Sequence, residues 1–100
     1  MGNRFTGKVA VVTGGGHGIG RNVAMLLAQE GASVIINDSG CKINATETSN
    51  PSAGQVAKEI RSGGGNAIAN YEDVSLMEGG ERLIKVAIDK YQRLDILVNS

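Results

Sequence analysis

The chain has 100 residues, with ten basic side chains against ten acidic ones, so its formal net charge is zero. That length holds at most one domain, and 41% hydrophobic with 20% charged residues describes an ordinary soluble globular protein. Balanced charge removes the electrostatic case for nucleic acid or an anionic membrane as partner, and apolar runs of four to six residues fall far short of a membrane span.

Cys41 is the only cysteine, which excludes a disulfide framework and a cysteine-based zinc site. We expect no metal and a reduced, intracellular compartment: cytoplasmic, with peroxisomal or mitochondrial locations still open. Met1 to Phe5 is not followed by an apolar h-region, so no secretory signal is expected. Gly2 with Thr6 matches a myristoylation signal, but Phe5-Thr6-Gly7-Lys8 reads better as the lead-in to a strand. The sequons Asn37-Asp38-Ser39 and Asn44-Ala45-Thr46 read as chance matches in a chain without a signal peptide. Fifteen glycines and three aromatic residues foretell a light core.

In chain order, Lys8 to Thr13 is a continuous apolar strand of the kind buried on both faces of a parallel sheet. It runs into the glycine-dense turn Thr13-Gly14-Gly15-Gly16-His17-Gly18-Ile19-Gly20. A helix follows to Glu30, with Ile19, Val23, Leu26, Leu27 and Ala28 at helical spacing and Arg21, Asn22, Gln29 and Glu30 left for water. Gly31 is its C-terminal cap. Ser33 to Asn37 is a second, β-branched strand that ends at Asp38. Ser39 to Pro51 has no periodicity and reads as a loop of about a dozen residues, a length usual for functional or mobile loops.

Pro51-Ser52 starts a helix with Ala53, Val56, Ala57 and Ile60 apolar, and Gly63-Gly64-Gly65 ends it. Asn66 to Asn70 is a short third strand leading to Glu72-Asp73-Val74. Ser75 is the expected N-cap of the next helix, with Glu78 completing a capping box. That helix runs to about Gln92 and should bury Leu76, Leu83, Ile84, Ala87, Ile88 and part of Tyr91. Gly79-Gly80 costs it roughly 1–2 kcal/mol of propensity or marks close packing against a neighbour. Leu94 to Val98 is the fourth strand. The βαβαβαβ pattern predicts an α/β fold, a Rossmann-type doubly wound parallel sheet with helices on both faces. Right-handed crossovers give strand order 3-2-1-4. We read residues 1–100 as the N-terminal part of a single dinucleotide-binding Rossmann domain, truncated on its C-terminal side.

A strand that passes through glycines into a helix can hold a phosphate. The first free helical N–H groups and the helix dipole favour an anion there, and glycine has no Cβ to obstruct it. A Walker-type loop is excluded, because no Lys-Ser or Lys-Thr follows the last glycine. A glycine turn with no ligand is the alternative. Asp38, eighteen residues past Gly20, can accept both ribose hydroxyls of an adenosine half. Its charge would repel a 2′-phosphate, and neither His17 nor Ser39 could hold one, so we expect NAD rather than NADP. The alternative is that Asp38 only begins a turn.

Thr13-Gly14-(three residues)-Gly18-Ile19-Gly20, then Asp73-Val74, then Asp95-Ile96-Leu97-Val98-Asn99 resembles the short-chain dehydrogenase/reductase family along the whole chain. The resemblance implies that Gly14, Gly18 and Gly20 line a dinucleotide, with the Ile19 N–H near the pyrophosphate and Thr13 tying the turn to strand four. It implies that Asp73 bonds the adenine amino group, that Val74 flanks the ring, and that Asn99 begins an Asn-Asn-Ala-Gly segment beside the ribose. Ser100 departs from that segment. The Asn37-Asp38 pair, the long loop and Ala69-Asn70 are similar to the hydroxyacyl-CoA dehydrogenase modules of peroxisomal multifunctional enzymes. The activity implied is hydride transfer between nicotinamide and an alcohol or ketone, in a full-length homodimer or homotetramer.

The family's catalytic Tyr with a Lys four residues on, its Ser and its Asn cannot be placed in residues 1–100. Tyr71 and Tyr91 are followed at that spacing by Ser75 and Asp95. No catalytic residue is therefore assigned, and the fragment itself is expected to be inactive, as the cofactor half of an oxidoreductase. A non-catalytic dinucleotide-binding or sensor protein of the same fold is the competing reading. His17 lies over the phosphates or in solvent, Arg21 reaches the pyrophosphate or stays exposed, and Cys41 needs no role.

Overall fold

The computed structural model describes residues 3–14, 16, 18–38 and 52–99. Seven elements alternate: β1 (Val9–Thr13), α1 (Gly18–Gln29), β2 (Ser33–Asn37), α2 (Ser52–Ser62), β3 (Asn66–Asn70), α3 (Met77–Tyr91) and β4 (Ile96–Asn99). The strands form one parallel sheet in the order β3-β2-β1-β4, as the alternation and right-handed crossovers require. The predicted loop from Ser39 to Pro51, with Cys41 and the Asn44 sequon, lies outside the described residues.

Alternation along each strand divides the core into two layers. Val12, Val34 and Ile36 point to one face, where Ala24 of α1 and Ala53, Val56 and Ile60 of α2 close over them. Val9, Val11 and Ile35 point to the other, under Leu83 and Ala87 of α3. Every residue of β1 is buried, as expected of a strand covered on both faces. With few large side chains, the helices approach through alanines.

The ends of α1 and β4 are tied by backbone and carboxylate. Gly31 N–H donates to the Ala28 carbonyl and Ala32 N–H to the Leu27 carbonyl, the Schellman pattern that terminates α1. At the amino edge of the sheet, Asp95 Oδ2 accepts the Val9 N–H at 2.9 Å and the Arg93 Nε at 2.7 Å. The Asp95 N–H in turn donates to the Val9 carbonyl.

Two expectations are corrected on α3. Its N-cap is Leu76, with no side-chain cap bond, and the helix begins at Met77. Ser75 lies one residue before the N-cap position, where Asp73 Oδ1 takes both the Ser75 N–H (3.0 Å) and its hydroxyl (2.6 Å). The local Asx-type turn outcompetes the capping box. Leu76, Ile84 and Ile88 are exposed, at 53%, 38% and 46%. The helical period was legible, but among the described residues only the β1–β2 side of α3 has a sheet to cover it. The apolar stripe is wider than that cover.

Candidate functional site

The last residues of all four strands fall in one register row: Asn70 pairs with Asn37, Asn37 with Thr13, and Thr13 with Asn99. All four are polar, and they close the carboxyl edge of a sheet whose middle rows are apolar. The Thr13 hydroxyl donates to Asn99 Oδ1 at 3.0 Å and lies 3.4 Å from the Val98 carbonyl oxygen. The Asn37 Nδ2 group donates to Asn70 Oδ1 at 2.8 Å. In parallel α/β sheets, ligands bind beyond this edge, where strand order reverses; here that point lies between β1 and β4.

Beyond Thr13 the chain turns into α1. Gly14 and Gly18 take left-handed conformations, with φ of 67° and 51°, which only glycine adopts without strain. A Cβ on Gly18 would meet nothing within 4 Å, so this face of the turn is open. Gly20 is buried on the first turn of α1. Ile19 stands out from it at 77% exposure. No acidic residue occupies that first turn, so the helix itself brings no carboxylate to its positive dipole end. The described residues of the turn are thus open on the Gly18 side and carry no acidic group. Gly15 and His17 lie outside the described residues.

Asp38 follows β2, half-buried, with its N–H donating to the Asn70 carbonyl at 3.0 Å. After β3, Asp73 is held from several directions. Its Oδ1 accepts from Ser75 and its carbonyl oxygen accepts the Leu76 N–H. Gly79 packs so closely against it that a Cβ there would overlap the Asp73 carbonyl. Close packing is thus the reason for the first glycine of the Gly79-Gly80 pair. Val74 is 38% exposed and lines a cavity of about 400 Å³ that also touches Thr13, Leu83, Leu97 and Asn99.

The sequence reading missed two arrangements. Arg21 neither reaches toward the turn nor stands free: its Nη2 pairs with Glu59 Oε1 at 2.5 Å and ties α1 to α2. Asn37 is 1% exposed and engaged by its amide, so its sequon has no accessible acceptor. A polar residue, Asn37, ending a β-branched strand just before Asp38 was the available hint. Among the described residues, no group of three His, Cys, Asp or Glu side chains could hold a metal ion, and no helix is long and apolar enough to cross a membrane.

A family model described as short chain dehydrogenase matches residues 8–100. The chain belongs to the short-chain dehydrogenase family. Mouse peroxisomal multifunctional enzyme type 2 is 44% identical over 97 residues, which is 97% of this chain and 13% of that enzyme. A short chain dehydrogenase from Mycobacterium avium superposes with a TM-score of 0.86 at 37% identity, covering 100% of this chain and 34% of that one. A 7α-hydroxysteroid dehydrogenase, solved with NADH and 7-oxo glycochenodeoxycholic acid, gives a TM-score of 0.83 at 36% identity, over 96% of this chain and 34% of that one. The chain thus spans about a third or less of the short-chain dehydrogenases and multifunctional enzymes it matches.

Proposed function

We propose that the chain supplies the cofactor-binding half of an NAD-dependent oxidoreductase that interconverts an alcohol and a ketone. The observation that carries this reading is the carboxyl edge itself. An open glycine cradle at the start of α1, a carboxylate at Asp38 and the fixed Asp73-Val74 segment stand around one end of the sheet. In this proposal the α1 N–H groups, starting with those of Gly18, Ile19 and Gly20, hold the pyrophosphate beside Gly14. Asp38 takes the ribose hydroxyls, Asp73 the adenine amino group and Val74 the ring face. Thr13 and Asn99 keep the ends of β1 and β4 together beside the adenosine ribose.

Bound NAD supplies the hydride acceptor. The residues of this chain bind and orient it, and residues 1–100 alone should hold cofactor without turning over substrate. Support for NAD over NADP is the Asp38 charge, which opposes a 2′-phosphate. Support for an alcohol or ketone substrate is the family, and in particular the hydroxysteroid dehydrogenase solved with NADH and an oxo-steroid. Within that class, the likeness to peroxisomal multifunctional enzymes points to 3-hydroxyacyl-CoA thioesters. A homodimer or homotetramer, and a cytoplasmic location with the peroxisome as alternative, complete the proposal.

The test is NAD reduction by the whole protein across alcohols that include 3-hydroxyacyl-CoA thioesters and hydroxysteroids, with NADH binding measured in parallel. Turnover with NAD supports the reading. Tight NADH binding with no turnover on any alcohol would favour a non-catalytic sensor of the same fold, and absence of binding would overturn both.

A further inference from the structure

Asn37 is fully buried at the end of β2, and its amide is turned to the protein interior. Its Nδ2 group makes two bonds, to Asn70 Oδ1 at 2.8 Å and to the Glu72 carbonyl oxygen at 3.0 Å. Asn70 Oδ1 also accepts the Glu72 N–H at 2.9 Å. The backbone fixes both amide orientations. Only an oxygen of Asn70 can accept from the Glu72 N–H, so Asn37 must face it with its nitrogen, and that nitrogen also suits the Glu72 carbonyl. Both polar backbone groups of Glu72 are therefore held by side chains of β2 and β3. The Glu72 carboxylate is held as well, by Arg82 Nε of α3 at 2.8 Å.

Glu72 is the residue that delivers the chain to Asp73, and Asn37 is the residue that precedes Asp38. Resting on the dinucleotide reading above, we propose that Asn37 is a positioning residue for the adenosine half of the cofactor. Through Asn70 and Glu72 it fixes Asp73 and Val74 relative to Asp38. A buried amide with both protons directed at oxygens is costly to replace, because each partner would be left desolvated and unbonded. The adenine wall is thereby set by the sheet rather than by the loop that carries it.

A residue that acts only on stability would weaken every ligand alike once folding is accounted for. A positioning residue separates the two halves of the cofactor. In the whole protein, Asn37→Ala should weaken ADP-ribose binding about tenfold or more, the loss expected when such hydrogen bonds fail. Binding of reduced nicotinamide mononucleotide should change by less than about twofold on the same scale. Equal losses for the two probes, or no loss for either, would overturn the proposal.

Should Asn37→Ala not fold, the half-buried end of the network carries the same test. Asn70→Asp keeps an acceptor for both the Asn37 amide and the Glu72 N–H and should retain ADP-ribose binding, whereas Asn70→Ala should lose it. Indistinguishable behaviour of those two variants would equally sink the idea. If the unsubstituted protein binds no ADP-ribose, the dinucleotide reading fails first and takes this proposal with it.

Discussion

Gly79 of α3 lies against the backbone of Asp73 so closely that a single methyl group at Gly79 would overlap the Asp73 carbonyl oxygen. Gly79 is buried, and the obstructing atom is backbone, which cannot swing aside. Gly79→Ala should therefore raise helix propensity and still destabilise the protein. Overpacking of this kind typically costs about 1–3 kcal/mol, against the gain of roughly 1 kcal/mol expected for Gly to Ala in a free helix. Urea unfolding of the variant should show a lower midpoint. Gly80→Ala, where a Cβ meets nothing within 4 Å, is the internal control and should be neutral or stabilising. A Gly79→Ala midpoint equal to or above the wild type would show that the contact is not tight.

At the opposite edge of the sheet, Asp95 gives the protein an acid-sensitive latch. The Arg93 guanidinium, and after it the Val9 N–H, hold the Asp95 carboxyl below the ordinary aspartate range. A carboxyl whose folded pKa is depressed contributes stability above its unfolded pKa and loses it as pH falls through the folded value. The contribution should thus be complete at neutral pH and fade below the ordinary aspartate range. Asp95→Asn should be less stable than wild type at neutral pH, and the gap between their urea midpoints should close with acid. Glu59, lowered by Gln55 and then Arg21, and Glu30, lowered by Arg4, leave a residual acid limb in both proteins. A gap that stays constant with pH would exclude the latch.

Much of this architecture was legible because it is local. The β-branched run at Ser33 to Asn37 and the apolar block before Thr13 have no competing helical period, and both strands lie where the pattern puts them. Gly14 and Gly18 were legible as a turn because positive φ is glycine's own territory. What failed to show was a competing local hydrogen bond, at Ser75, and anything dependent on a partner distant in sequence. Ser75 looked like a cap until Asp73 captured it. Ile84 and Ile88 obeyed the helical period, but a period does not say whether a neighbour covers the face. Asn37 and Asn70 are 33 residues apart, and their pairing follows from a strand register that no short window contains.

Thr13 offers a test of how the ends of β1 and β4 are joined. Its hydroxyl donates to Asn99 Oδ1, and Thr13 is 8% exposed. Thr13→Val keeps the shape and removes the donor, leaving the Asn99 oxygen without that bond. A loss of about 1 kcal/mol is expected, the usual worth of one such bond. Thr13→Ser should retain the bond and recover most of the stability. Equal destabilisation by Val and Ser would assign the effect to the lost methyl packing rather than to the hydrogen bond.

The proposed choice of NAD over NADP rests on one charge. Asp38 stands at the carboxyl end of β2 with its backbone anchored to the Asn70 carbonyl, so its removal should not collapse the edge. In the whole protein, Asp38→Ala should weaken NADH binding roughly ten- to hundredfold, in line with hydrogen bonds to a charged group. NADPH binding should be unchanged or improved, since the carboxylate that opposes its 2′-phosphate is gone. The ratio of the two dissociation constants is the readout, because a general loss of folding cancels in it. If both cofactors weaken by the same factor, Asp38 does not read the ribose and the NAD assignment falls.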